Sequence, residues 1–309
     1  MKSILMLIAC GVIWGSQYVF NEVAIGEIDV IWIAALRSGI GALFLILICY
    51  MLKLKRSPGN WPLIILIGLL EATLPFLLVA WGQQTTPSAF AAVITGTNPL
   101  ITLLLAPVVL AGTRMTLKAV VCSLIGFSGL LYLFWPQLQH QGLTDFSGSI
   151  AILIAAASFA LSLLLVKRLQ HLHPIVLARD VIAVSAIQLI PMALIWGTMP
   201  TVMPSTASIG SVLYLGVFCG GLVYVLFMTL IMNKGPTFAS FSNYLVPTVG
   251  VLLSMLVADT GLDNRIFISL LIIISSIYLY QLDFSFAGKS TSPKLQEKNN
   301  VTSQRNRPY

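Results

Sequence analysis

Apolar residues run along this chain in long unbroken stretches separated by short polar breaks. The pattern has neither the every-second-residue alternation of a half-buried strand nor the polar face of a water-exposed helix. Ten of these runs can cross a hydrocarbon core about 30 Å thick, which needs roughly 20 helical residues. They lie at 4–23, 30–52, 61–81, 88–111, 117–135, 147–166, 174–197, 209–232, 237–258 and 265–284. In lipid every backbone N–H and C=O has to be paired within its own segment or a closed barrel, and barrel alternation is missing. The pattern therefore predicts an all-α integral membrane protein, a bundle of ten transmembrane helices. The first run is longer than the apolar region of a signal peptide and lacks a small-residue cleavage pattern, so it is expected to stay attached.

Composition agrees. Of 309 residues, 58% are hydrophobic and 9% charged, and the mean hydropathy is +0.94. Ordinary soluble chains carry roughly 25% charged residues, so a water-soluble fold is excluded. A net charge of +7 would suggest nucleic acid in a soluble protein, but the basic residues have another explanation here. Fourteen of the 17 Lys and Arg fall on the side of the N-terminus, Arg265 alone falls on the other, and Arg37 and Arg179 lie inside spans. Glu27, Asp29, Asp145 and Asp263 fall on the sparsely basic side. By the positive-inside rule both termini are expected in the cytoplasm of a multi-pass inner (plasma) membrane protein. Residues 285–309 are polar and read as a flexible cytoplasmic tail. The four cysteines sit singly in apolar stretches, and His140, His171 and His173 sit in connecting loops, so no metal, disulfide or catalytic histidine site is expected. Gly-rich pieces such as Gly220-Gly221 lack the ending of a phosphate loop and read as close-packing positions.

The chain also repeats itself. A shift of 148 residues lays Gly68 on Gly216, Phe90 on Phe238, Ala91 on Ala239 and Pro99 on Pro247, and a shift of 142 lays Arg37 on Arg179. Each half then holds five helices, and an odd number inserts the second half upside down relative to the first. Inverted repeats belong to secondary transporters, because exchanging the conformations of two similar halves converts an inward-open state into an outward-open one.

Several residues carry a likeness to a known family. These are Trp14-Gly15 with Asn21 in the first span, Arg37 in the second, and the stretch from Ala80 and Trp81 through Pro87 to Ala91-Ala92 and Pro99. With the five-plus-five arrangement they resemble the EamA-type branch of the drug/metabolite transporter superfamily over residues 1–284. The second half departs from the first, carrying Ser158-Phe159-Ala160 where a Trp-Gly pair would stand. The resemblance implies two EamA-like five-helix repeats, 1–140 and 147–284. It also implies an inner-membrane carrier of small organic solutes, often an exporter of amino acids or related metabolites, with a central cavity and peripheral fifth and tenth helices.

Candidate residues follow from depth. Trp14, Glu71 and Asn98 each fall near the middle of a span, where carriers hold substrate. Glu71 is the carboxylate nearest a span's middle, and it reads either as a proton or amine acceptor or as a neutral acid bracing a neighbouring helix. Trp14, Gln17 and Tyr18 share about one turn and, with Tyr224, are candidates for a substrate pocket. Asn98 and Asn243 read as substrate ligands or interhelical hydrogen bonds beside Pro99 and Pro247, which interrupt the fourth and ninth spans. Arg37 and Arg179, the latter beside Asp180, read either as gates that engage across the halves in one state, or as snorkelling or bracing side chains.

The expected function is a secondary transporter working by alternating access, with a small-molecule substrate, membrane lipid and protons as partners. No nucleic acid, metal or cofactor is expected. The competing readings are a membrane-embedded enzyme on lipid-linked substrates, for which clustered acids or metal ligands are missing, and a non-transporting sensor or assembly subunit.

Overall fold

A computed structural model of the protein describes residues 2–55, 59–82, 85–86, 88–140, 146–258 and 264–282. The tail expected at 285–309, the acids Asp145 and Asp263, and Pro87 lie outside the described residues. Among the described residues all regular structure is helical. The first two spans are α1 (Lys2–Ile25) and α2 (Val30–Met51). The third is built of α3 (Trp61–Gly68), a π-helical segment π1 (Leu69–Thr73) and α4 (Leu74–Gly82). Then come α5 (Ser88–Thr95) and α6 (Asn98–Val109), α7 (Leu117–His140), α8 (Phe146–Arg168) and α9 (Pro174–Trp196). The eighth expected span is α10 (Thr206–Tyr214), a second π-helical segment π2 (Leu215–Leu222) and α11 (Val223–Lys234). Short α12 (Pro236–Ser240), α13 (Ser242–Ala258) and α14 (Asn264–Gln281) complete the chain.

Nine stretches among the described residues are long and apolar enough to cross a membrane. The expected span at 237–258 is not among them, because it breaks at Phe241 into α12 and the 17-residue α13. The interruption therefore falls six residues before Pro247, which α13 accommodates in its interior, and not at the proline as the sequence suggested. In the fourth span the break at Gly96-Thr97 does lie where Pro99 predicts it, since proline suits the first turn of the helix that follows.

Both π segments have local causes. In π1 the Leu74 N–H reaches back to the Leu69 carbonyl, and Pro75 supplies no N–H to the carbonyl of Glu71. In π2 the Val223 N–H bonds the Phe218 carbonyl, in a stretch containing Gly216, Gly220 and Gly221. These glycines also set how closely helices approach. A Cβ on Gly41 of α2 would stand 2.7 Å from the backbone carbonyl of Gly220.

The helices pack in a limited set of pairs. α2 lies against α9 and π2, while α9 lies against α3 and π1. α1 packs on α13, α10 and α11, and α8 packs on α4, α5 and α6. α7 pairs with α14, the least buried of the nine spans, whereas α8 and the α10–α11 stretch are the most buried.

One end of the bundle is tied by its connections. Asp29 caps α2 by accepting from the Ile31 N–H (2.8 Å), and its other oxygen accepts from Thr198 Oγ1 (2.9 Å). Glu27 Oε2 accepts the Ser205 backbone N–H at 2.5 Å, at the N-cap of α10. That bond, with the Ser205 and Ser208 hydroxyls, holds the Glu27 carboxyl below the usual carboxylate range.

Two expectations follow. Gly41→Val should lower the thermal midpoint of the purified protein by several degrees, since overpacking costs about 1–3 kcal/mol, whereas Gly210→Val should leave it unchanged. No atom lies within 4 Å of a Cβ placed on Gly210. Equal midpoints for the two variants would contradict the close α2–π2 approach. Because the Glu27 carboxyl is held low, its contribution to stability is present above an ordinary glutamate pKa of about 4.3 and is lost as the pH falls through the lower folded value. Glu27→Gln should accordingly flatten the acid limb of a stability–pH curve, and an unchanged limb would contradict the tie.

Candidate functional site

The helices described above bring Trp14, Arg37 and Cys219 to one point through a backbone carbonyl. In an α-helix the Cys219 carbonyl would accept from the Val223 N–H, but π2 diverts that N–H to Phe218 and leaves the carbonyl free. Two side chains from other helices take it. Trp14 Nε1 donates at 3.3 Å and Arg37 Nη2 at 3.1 Å. Arg37 Nη1 donates to Gln17 Oε1 at 2.8 Å, and the guanidinium lies 4.8 Å from the centre of the Phe76 ring. Arg37 is only 7% exposed, so it does not snorkel to a headgroup. That reading of the sequence is corrected by π2, which offers the guanidinium an acceptor inside the bundle.

The change of register in π1 also releases a carbonyl. The Leu74 N–H bonds Leu69, so the Leu70 carbonyl is released and accepts from Ser158 Oγ at 2.9 Å. Ser158 stands in α8 where α1 carries Trp14, so a small donor serves π1 and a large one serves π2.

Glu71 sits within π1 and is 1% exposed. Its Oε2 accepts from the Ser162 hydroxyl, one turn along α8 from Ser158, while Oε1 is buried with no hydrogen-bond partner. An ionised carboxylate in that position needs a proton or a cationic group. Tyr224 is buried. It packs edge-on against Trp14 at 5.6 Å, alongside Phe227 at 4.7 Å and Phe159 at 6.4 Å, making an apolar wall beside the polar groups.

The remaining candidates lie apart from this centre. Asn98 donates to the Ala156 carbonyl at 3.0 Å and accepts from Asn243 Nδ2 at 3.1 Å, and Asn243 also donates to the Ser240 carbonyl at 3.0 Å. The two asparagines thereby link α6, α8 and the α12–α13 break. Tyr18 is 40% exposed, with its ring against Gly250. Arg179 is bonded to Asp180 beside it, through Nη2 at 2.7 Å and Nε at 2.9 Å. Among the described residues no group of three or more His, Cys, Asp or Glu has the arrangement to hold a metal.

Sequence reasoning missed Ser158, Ser162, Phe159, Phe227 and the two released carbonyls. Pro75 inside the third span and the Gly220-Gly221 pair inside the eighth were the available signals for the π segments.

Comparison with known proteins accords with this architecture. The profile of the EamA-like transporter family matches residues 1–135 and again residues 146–281. The chain is 27% identical to the uncharacterized inner membrane transporter YedA of Escherichia coli (strain K12), over 94% of this chain and 95% of that one. It is 23% identical to the uncharacterized transporter YoaV of Bacillus subtilis (strain 168), over 92% and 98% of the two chains. A solved crystal structure with 17% sequence identity shares the fold, with a TM-score of 0.78 over 91% of this chain and 96% of the other. This multi-pass membrane protein belongs to the EamA-like transporter family.

Proposed function

We propose that the protein is a secondary transporter of small organic solutes, working by alternating access between two oppositely inserted five-helix halves, 1–140 and 147–284. It exports amino acids or related metabolites across the inner membrane, with both termini in the cytoplasm. The observation that carries this reading is the behaviour of the principal helix contacts when the halves are exchanged. The packing of α1 on α13 becomes that of α8 on α6, the packing of α2 on π2 becomes that of α9 on π1, and that of α1 on α10–α11 becomes that of α8 on α3–α4. The pairs α2–α9 and α7–α14 map onto themselves. The placement of π1 and π2 supports it too, since a shift of 148 residues carries Leu69–Thr73 to 217–221, inside Leu215–Leu222. Such matched contacts let the two halves trade conformations at small energetic difference. The double match of the family profile and the transporter names of the relatives point the same way.

In this reading the central site comprises Trp14, Gln17, Glu71 and Tyr224, with Tyr18 at its edge and Asn98 and Asn243 bracing the helix breaks. Arg37 closes one end by engaging the second half through Cys219, supported by the Glu27–Ser205 and Asp29–Thr198 ties. Arg179, held by Asp180, is the corresponding group toward the other end and engages across the halves in the alternate state. Glu71, with one oxygen bare, takes up the coupling proton.

Proteoliposomes containing the purified chain should move a labelled solute from a panel of amino acids, nucleosides and sugars down its gradient. A flat response across the panel would contradict transport. Glu71→Gln should abolish accumulation driven by a pH gradient, and unchanged pH-driven accumulation would remove Glu71 from the coupling. A crosslink between cysteines at Asp29 and Thr198 should stop transport and its reduction should restore it. Full transport with the crosslink in place would contradict a moving end.

A further inference from the structure

The connection between α9 and α10, residues 197–205, is more apolar than contact with water requires. No Asp, Glu, Lys, Arg or His occurs from 181 through 233, so the loop shares the chargeless run of the two spans it joins. The α2–α3 and α6–α7 connections, by contrast, carry Lys53, Lys55 and Arg114. Within the loop Met199, Val202 and Met203 are all exposed, Val202 at 78% and Met203 at 85%. Its polar ends are pinned. Thr198 Oγ1 donates to Asp29 Oδ2 at 2.9 Å and the Ser205 N–H donates to Glu27 Oε2 at 2.5 Å, so both carboxylates of the α1–α2 connection engage the ends of the loop and leave its apolar middle free. Ser205 also caps α10 by accepting the Ser208 N–H. Residues 199–205 curve around a space of about 510 Å³, and among the described residues that line it Glu27 alone comes from outside the loop. The apolar side chains therefore have little protein surface on which to settle.

We infer that residues 199–203 form an interfacial lip, with Met199, Val202 and Met203 seated in the lipid leaflet at that end of the bundle. Continuity identifies lipid as the occupant. The exposed side of the last turns of α9, with Ile187, Leu194, Ile195 and Trp196, runs without a polar break except Gly197-Thr198 into the apolar residues of the loop. Indoles mark the level at which the loop begins, since Trp and Tyr gather at the boundary between hydrocarbon and water. Trp196 ends α9 and is exposed, and a Cβ on Gly197 would stand 2.9 Å from the ring of Trp32 near the start of α2. Backbone chemistry sets the depth. Pro200 and Pro204 carry no N–H, which lowers the cost of bringing this segment among the headgroups. The remaining N–H and C=O groups of a non-helical stretch still need polar partners, so the lip rests in the boundary region and does not enter the hydrocarbon core. The second half thus has a foothold in the membrane beside the point where Glu27 and Asp29 hold it to the first.

The test places a cysteine at Val202, labelled with the environment-sensitive fluorophore nitrobenzoxadiazole, in the full chain in nanodiscs holding one copy each. The native cysteines Cys10, Cys49, Cys122 and Cys219 are buried, and the unsubstituted chain carried through the same labelling sets the background. A label at Gly26, exposed in the neighbouring α1–α2 connection, is the reference at the same end. Bromine on the acyl chains close to the headgroup should quench the label at Val202 more strongly than the label at Gly26, and more strongly than bromine near the chain ends does. Iodide in the water should quench Gly26 more strongly than Val202, and the Val202 emission should lie at the shorter wavelength. Met199→Glu together with Met203→Glu alters only exposed side chains, and should move the Val202 label to the emission and iodide sensitivity of Gly26. Iodide quenching at Val202 equal to that at Gly26, without bromine quenching, would put the loop in water and overturn the inference. Protection from both quenchers would put protein over the loop and overturn it too, as would bromine quenching that persists in the double variant. Transport in proteoliposomes is a separate readout, so failure of the lip leaves the proposed function standing.

Discussion

A helix in lipid has no water to which it can turn an unpaired carbonyl, and that constraint organises the centre of this protein. Two spans depart from α-geometry at matching places, and each departure releases a carbonyl: Leu70 in π1 and Cys219 in π2. Neither is left bare. The carbonyl of each half is taken by side chains of the other, Ser158 for Leu70 and Trp14 with Arg37 for Cys219. The halves are thus joined at their middle by hydrogen bonds to backbone that regular helices would not offer. Those bonds bring Trp14, Arg37 and Ser158 onto the interrupted spans.

The two junctions are not equivalent in chemistry. At π2 the acceptor meets an indole and a guanidinium, while at π1 it meets a single serine hydroxyl, and the carboxyl group of the site, Glu71, sits on the π1 side. Its counterpart by the 148-residue shift is Cys219, whose thiol donates to the Ile13 carbonyl at 3.2 Å. Related halves therefore frame a site whose charge is one-sided. Arg37, Glu71 and the indole of Trp14 come from the first half, and the hydroxyls of Ser158 and Ser162 with the rings of Phe159, Tyr224 and Phe227 come from the second. A frame of matched contacts suits movement of the halves, and an asymmetric lining suits selection among solutes.

Most of the helical architecture was legible in the sequence, because lipid imposes a length and an apolarity on each span that few other structures share. The sequence residues that pair by a shift of 148, within the two stretches that the family profile matches, have a backbone or packing role. Gly68 and Gly216 fall where helices meet closely, since a Cβ on either would press into the facing helix, Val184 for the first and Ile40 for the second. The finer geometry was not legible. A π segment changes one hydrogen-bond register and leaves apolar periodicity almost untouched, so neither the released carbonyls nor their partners Ser158 and Ser162 stood out. Pro247 misled for a related reason. An interior proline can be absorbed by a helix with neighbours to hold it, and the chain breaks instead at Phe241. Whether Arg37 gates, snorkels or braces stayed open in the sequence because its acceptor is supplied by folding alone.

The central claim is that two halves rock against each other about this middle, so that one end closes as the other opens. Pulsed electron-spin distance measurements in proteoliposomes address it most directly. One pair of labels belongs at Gly26 and Val202, at the tied end, and a second pair at Lys53 and His171, at the opposite end. All four positions are exposed. The account predicts that each pair shows a short and a long distance, and that conditions enriching the short distance at one end enrich the long distance at the other. A single distance at both ends under every solute and pH condition, or changes at the two ends that rise and fall together, would contradict it.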